Sequence, residues 1–387
     1  MWVRPARQAT SIFASVANFF FSEKEEAGFQ TYLAERSANT EVVPIVDYDQ
    51  LKMAADGRLS DSQYRYTIIG FNAVCNTVAP GLASVFYELS GENPRKVVDN
   101  EEFNVPAAVA IYNTAVRVRF PALTDKSILV THNEQIAEGF LSVEHKILDN
   151  NIFYTLLQEE LTSRQAHANF YRAEMVGREM GVYMMDKESV RTDLLPDKRY
   201  LFASGWFFSN REDTGSAVFA SPCLFTRFGP AIRRQRGAKL SHIGADLVGR
   251  TTSLVARISH QTIDMDKVRS QVRMLASKKI GFSDDKKEQD IAVGRAVGFL
   301  CRYGVRRDYA KIIVQNAGAI GSDLEPRDFS VMYDTRILKN RTLYDLVCSL
   351  LRYAKTHPTH TRMALQTAAM DILCPVEKKA DKPRFNS

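Results

Sequence analysis

The stretch Tyr200–Ser209, YLFASGWFFS, puts apolar side chains on both parities of an extended chain: Tyr200, Phe202, Trp206 and Phe208 on one, Leu201, Ala203 and Phe207 on the other. Successive side chains of a strand point to opposite faces, so both faces of this one are partly apolar. A strand of that kind belongs inside a sheet covered on both sides, not at an exposed edge. A second β-type run, Ser216–Thr226, follows the connection SNREDTGSA (Ser209–Ala217), and the two read as a strand pair. Directly afterwards PAIRRQRGAKLSHIG, Pro230–Gly244, reads as a basic loop carrying Arg233, Arg234, Arg236, Lys239 and His242 with no acidic residue among them.

Around this feature the chain has ample length, 387 residues, to bury a substantial core. Apolar residues at 45% and charged residues at 25% argue against wholesale disorder and against a membrane protein. The net charge of +6 is too small for a strong overall field, so any phosphate-binding surface must come from local clustering. Cys75, Cys223, Cys301, Cys348 and Cys374 form no C-x-x-C pair, which speaks against a zinc ribbon or a thioredoxin-like site and suits a reducing, cytoplasmic setting. Near the start, Arg4 and Arg7 precede the apolar run Ile12–Phe21, which Ser15 and Asn18 interrupt and Glu23, Glu25 and Glu26 soon follow. It reads as an amphipathic docking arm, not a secretory signal, and no apolar stretch approaches the ~20 residues that span a bilayer.

The expected fold class is α+β, with a mixed, largely antiparallel sheet in the N-terminal and central part and a helical C-terminal region. The expected organisation is an arm over residues 1–41, an α+β core over 42–244, a helical region over 245–374 and a disordered tail over 375–387. Val42–Tyr48 reads as a strand, and Tyr64–Leu89 as buried helices broken near Pro80-Gly81. Val109–Ile111, Val116–Phe120 and Ile128–Val130 read as an antiparallel meander, with Arg117 and Arg119 on one strand face that is either solvated or turned to nucleic acid. From Gly139 to Leu161 the pattern turns helical, with Asp149-Asn150-Asn151 as a cap. Asn169–Met175 and Met180–Met185 form a further strand pair. Beyond Gly244, helices follow around Leu247–Ile258, after Asp264, and over Ala292–Tyr303, Asp308–Gln315, Thr342–Lys355 and Thr361–Leu373, with Ser283–Asp290 as a linker.

Three groups of residues invite a chemical reading. Asn210, Glu212, Asp213 and Ser216 sit together between two strands, where paired acids would position a metal in a nuclease; the simpler reading is a hairpin loop whose polar side chains bond to their own backbone. The basic loop suits phosphate oxygens, since guanidinium groups bind them two at a time, and Arg250 and Arg257 extend the track along the next helix. Period-two aromatics are mostly core, leaving Trp206 and Phe228 as the candidates for stacking on unpaired bases. The third group, His357 and His360, ends a helix and offers no ligand set. With no phosphate loop, dinucleotide fingerprint, H-E-x-x-H or G-x-S-x-G present, no catalytic residue, metal or cofactor is expected.

At these motifs the chain resembles the large phage/plasmid-like protein family of unknown function. The resemblance runs in order through GFNAVCNTVAPGL (Gly70–Leu82), FLSVEHKILDNNIFYTLL (Phe140–Leu157), FSNREDTGSAVFA (Phe208–Ala220), KLSHIG (Lys239–Gly244) and LYDLVCSLLRYAKTH (Leu343–His357). It departs from the family at Leu224–Gly229, which lacks the usual Val-Cys-x-Asn element, and at Leu240-Ser241-His242, where the family's arginines are displaced upstream to Arg233, Arg234 and Arg236. The resemblance implies a mobile-element context and a mixed α+β fold. The expected function is non-enzymatic nucleic-acid binding, of single strands in replication or recombination, through Arg233, Arg234, Arg236, Lys239, His242, Arg250, Trp206 and Phe228. The alternative is a phage-associated structural or assembly protein. Expected partners are nucleic acid and further copies of the chain, with no membrane.

Overall fold

The computed structural model describes residues 23–91, 104–142, 144–164, 168–176, 178–189, 202–212, 217–226, 228–233, 237–281, 285–317, 341–357 and 359–375. The fold is α+β. Its first part runs α1 (Glu23–Ala38), β1 (Thr40–Pro44), β2 (Arg65–Tyr66), α2 (Ile68–Val78), α3 (Leu82–Ser90), α4 (Val105–Arg119), β3 (Lys126–Thr131) and β4 (Ile136–Ser142). These strands form a sheet in the order β1-β3-β4-β2, antiparallel except where β2 runs parallel to β4. Helices α2, α3 and α4 share one apolar core with this sheet, built on Phe71, Phe86, Tyr112, Val116, Ile128 and Phe140. Gly70 belongs to the contact between α2 and β4, because a Cβ there would lie 2.6 Å from the Ala137 carbonyl oxygen.

After α5 (Asn150–Arg164) come β5 (Ala168–Val176), β6 (Glu179–Asp186), β7 (Phe202–Arg211), β8 (Ala217–Thr226), β9 (Gly229–Ile232) and β10 (Ala238–Ser241). They form a second, antiparallel sheet in the order β10-β8-β7-β6-β5, with β9 also paired to β8. Strand β7 sits inside it, buried from Phe202 to Asn210, as its two-sided apolar pattern requires. Trp206 and Phe208 face a core shared with α1, α5 and α6 (Leu247–Ser259), while Ala203 and Phe207 face the opposite side with Tyr183, Cys223 and Phe225. Helices α7 (Met265–Ser277), α8 (Lys286–Cys301), α9 (Arg307–Asn316), α10 (Leu343–Lys355) and α11 (Thr359–Leu373) gather a third core that reaches the sheet through Phe202, Leu224, Phe228 and Ala231. Among the described residues no helix is long and apolar enough to cross a membrane.

Several local expectations are corrected. Val105–Arg119 is a helix, so only Ile128–Val130 of the expected meander is strand, and Arg117 and Arg119 stand on the exposed last turn of α4. The decisive signals are Asn104, whose side chain accepts from the Ala107 N–H, and Pro106 in the first turn, where no donor is needed. The buried positions Ala108, Val109, Tyr112 and Val116 have helical spacing, and alternation of Val and Arg concealed it. Gly139–Ser142 belongs to β4, and the helix begins only at Asn150, behind the expected cap Asp149, which accepts from the N–H groups of Asn151 and Ile152. Much of the expected arm is α1, whose Phe29 and Leu33 are core residues; Met1–Ser22, including Ile12–Phe21, lie outside the described residues. Asp285 caps α8, so helix occupies most of the expected linker. The tail from residue 376 onward also lies outside the described residues.

Gly205 tests how tightly the second sheet is built. A Cβ there would lie 2.1 Å from the Met184 carbonyl oxygen and 2.8 Å from the Phe225 ring, with no room to relax. Gly205→Ala is expected to cost about 3 kcal/mol or more, read as a lowered urea midpoint; an unchanged midpoint would mean that β6 and β7 can part there.

Candidate functional site

The basic segment is not a loop throughout. Strand β9 pairs with the Cys223–Thr226 half of β8, and β10 pairs with the Ala217–Ala220 half. The paired positions Ile232↔Cys223 and Ala238↔Ala220 are separated by five residues on the outer side, 233–237, and by two on β8, Ser221 and Pro222. Arg234 and Arg236 belong to this connection and lie outside the described residues. Pro222 explains the interruption. Its carbonyl accepts from the Arg233 N–H, so its missing N–H lies on that same edge and leaves the outer strand nothing to pair with.

The candidate residues separate into scaffold and surface. Arg233 is 5% exposed, and its guanidinium donates to the Cys374 carbonyl at 3.0 Å, pinning the end of β9 to the end of α11. Trp206 at 2% and Phe228 at 8% exposure are core, so neither presents a stacking face to a base. His242 is fully buried. Arg250, half-buried on α6, donates back to the carbonyls of Ser241 at 3.3 Å and Ile243 at 2.9 Å, which ties β10 to the helix. Of the described candidates, Lys239 alone is exposed.

Beneath this edge lies a polar knot that joins the two sheets. Arg178, in the turn between β5 and β6, donates from Nε to Glu138 of β4, from Nη2 to Thr131 of β3 and from Nη1 to Glu212 at 2.9 Å. Thr131 Oγ1 donates to Glu138 Oε2 at 2.7 Å, and Arg36 of α1 donates to Glu138 Oε1 at 2.8 Å. Glu212 also accepts from the Asn150 N–H at the start of α5. Asn150 donates its side-chain N–H to the Arg178 carbonyl at 3.1 Å, and Asn210 donates to the Leu148 carbonyl at 2.6 Å and to Asn150 Oδ1 at 2.8 Å. His242 Nε2 lies 3.0 Å from Asn210 Oδ1, which can only accept. That contact makes Nε2 the protonated nitrogen and leaves Nδ1 to accept from His145 Nε2 at 3.3 Å.

This wiring corrects the reading of SNREDTGSA. Among the described residues, Asn210 and Glu212 reach across to the start of α5 and to Arg178. At 2% exposure, with both oxygens engaged, Glu212 has no face to offer a metal or a substrate, and Asp213 and Ser216 lie outside the described residues. Burial pushes the Glu212 carboxyl up to about 6 against the opposing pull of Arg178 and the Asn150 N–H. Burial likewise pushes His242 down to about 4, helped by His145 and Arg250. The knot was not legible from the acidic turn alone. It draws together Leu148 and Asn150, Asn210 and Glu212, and His242, one group from each of three motifs that carry the family resemblance. Compared with known protein families, characterised proteins and solved structures, the chain has no significant match.

The two shifted groups fix opposite pH dependences. His242 binds its proton less readily folded than unfolded, so its stability contribution is present above about 6.5 and is lost as pH falls toward 4. Glu212 binds its proton more readily folded, so its contribution is present below about 4.5 and is lost as pH rises through about 6. In urea midpoints measured from pH 4 to 7.5, His242→Gln is expected to remove the acid-side loss. A slope identical to that of the unsubstituted protein would show that His242 is not held neutral.

Proposed function

We propose that this chain is a non-enzymatic nucleic-acid-binding protein that handles single strands, with the basic segment between β9 and β10 taking the phosphates. The observation that carries the reading is that β9 and β10 both pair with β8 and are joined by a short segment whose sequence includes Arg234-Gln235-Arg236. Arginine binds phosphate oxygens in pairs, and Arg234 and Arg236 stand two residues apart in this segment with no acidic residue between them. Buried Arg233 on one side and buried His242 on the other anchor the segment, so these two support the site and do not contact ligand. Exposed Lys239 and Arg257 add charge on β10 and α6. The resemblance to the phage/plasmid-like family suggests a mobile-element origin, and five free cysteines suit a reducing cytoplasm.

Arg234, Arg236 and Lys239 replaced together by Ala should weaken binding to a labelled single strand and flatten its salt dependence, by about 0.7 in the log-log slope for each phosphate no longer neutralised. Affinity that does not change with salt, or a slope unaltered by the triple substitution, would remove the reading.

A second reading, self-association in an assembly role, is favoured by one surface. An open groove of about 490 Å³ between α2 and α4 is lined by Val78, Ala110, Ile111, Ala115 and Val118, and Ile111 and Val118 are 42% and 74% exposed. Val118→Glu is expected to lower the mass measured by sedimentation if copies meet through this groove, and an unchanged mass would exclude that interface.

A further inference from the structure

A second constellation lies on the first sheet, away from the basic segment between β9 and β10. The turn leading into β2 and the turn joining β3 to β4 enclose an open cavity of about 170 Å³ lined by Arg58, Gln63, Arg65, Glu134 and Gln135. The two turns are hydrogen-bonded together through the Arg65 N–H and the Gln135 carbonyl at 3.0 Å. They are also braced by side chains: Tyr64 OH meets His132 Nδ1 at 2.6 Å, and His132 Nε2 meets Glu41 of β1 at 2.8 Å. Asp56 holds Arg58 from behind at 3.3 Å.

The backbone singles this cavity out. Gln63 and Gln135 adopt φ of +61° and +50°, two of the three non-glycine residues with positive φ among the described residues, and both line the cavity. That conformation costs a residue with a Cβ about 1–2 kcal/mol, which glycine would avoid. Strain held by side chains that converge on one cavity is the pattern of a ligand clamp.

The chemistry of the lining narrows the ligand. Guanidinium groups only donate, an ionised carboxylate only accepts, and the two amides do both. Arg58 and Arg65 against Glu134 therefore call for a group that presents adjacent acceptors on one edge and adjacent donors on another. At about 170 Å³ the open cavity has room for the edge of a planar base. Among the bases of nucleic acid, guanine combines the O6/N7 acceptor pair, which arginine reads, with N–H donors on its Watson–Crick edge, which a carboxylate reads.

We propose that this cavity reads the edge of an unpaired guanine, with Arg58 and Arg65 toward O6 and N7, Glu134 toward the N–H groups, and Gln63 and Gln135 fixing its plane. The assignment rests on the nucleic-acid reading above and gives it base selectivity, separate from the phosphate contacts on the other sheet. The knot links the two regions, since Thr131 precedes the β3–β4 turn at one end and His242 follows β10 at the other.

Fluorescence anisotropy of the full chain with labelled oligothymidine carrying one central guanine, inosine or adenine tests it. Guanine is expected to bind about tenfold tighter than adenine, with inosine, which lacks the N2 amine, in between. Glu134→Gln should abolish the preference and leave affinity for plain oligothymidine unchanged. Gln135→Gly should weaken the preference while raising the thermal midpoint, a pair of effects that a purely structural glutamine would not give. Strands bound with no guanine preference, or a preference that survives Glu134→Gln, overturn the guanine assignment and leave the phosphate reading standing. If no strand binds at any salt, the nucleic-acid reading fails. Guanosine monophosphate binding, followed by ligand-observed NMR and lost in Glu134→Gln, would then still support guanine recognition, and its absence would end that as well.

Discussion

Arg178 is the residue through which the two sheets hold each other. Its guanidinium meets Glu138 and Thr131 of the first sheet on one side and Glu212, just beyond β7 of the second, on the other, at 1% exposure. Charges buried so deeply lose several kcal/mol of hydration each, and their attraction offsets this only when geometry and hydrogen bonds are both satisfied. Here each carboxylate has a second partner, Arg36 for Glu138 and the Asn150 N–H for Glu212. A buried pair of this kind adds little net stability over an apolar contact of the same size, whereas loss of one partner costs about 3–5 kcal/mol. Its effect is selective: other packings of sheet on sheet would strand a charge.

The same constraint orders the elements around it. Glu212 lies at the start of α5 together with the cap Asp149, so two carboxylates meet the positive end of that helix and fix where it begins. From α5 the hydrogen bonds pass through Asn150 and Asn210 to His242, and each step has a set direction, because the Asn210 carbonyl oxygen can only accept. The position of β10 is therefore tied to the ion pairs, although no basic residue of β10 touches them. Arg250 completes the tie from the outside by holding the carbonyls of Ser241 and Ile243.

Much of this architecture was legible in the chain. The two-sided apolar pattern of β7 placed it inside a sheet, Asp149 marked a helix start as its cap, and the helices expected after Asp264 and from Thr342 begin there, each behind a cap that the structure adds. The failures have physical causes. In α4, valine and arginine alternate at period two while the buried residues follow period 3.6, and only the Asn104 and Pro106 start signal separates the two. At the candidate site, charge along the sequence is not charge at the surface. Arg233 and His242 are buried against partners distant in sequence, Cys374 for one and Asn210 for the other. Nothing local in Gly177-Arg178-Glu179 distinguishes an arginine that pairs across 34 and 40 residues from an ordinary turn residue.

Burial of these charges also bears on how firmly β9 and β10 are held. Loops bind well when a rigid scaffold sets them, and ordering a long basic side chain costs entropy on each binding event, the more so unless its backbone is already fixed. Here Pro222 opens the ladder at one point only, and the strand is locked again on both sides, at Arg233 by Cys374 and at Ala238 by Ala220. A shift of either outer strand by one residue along β8 would turn buried Ile232 or half-buried Leu240 to the wrong face. The buried charges thus hold β9 and β10 at set positions along β8, so the connection between the two strands starts and ends at fixed points.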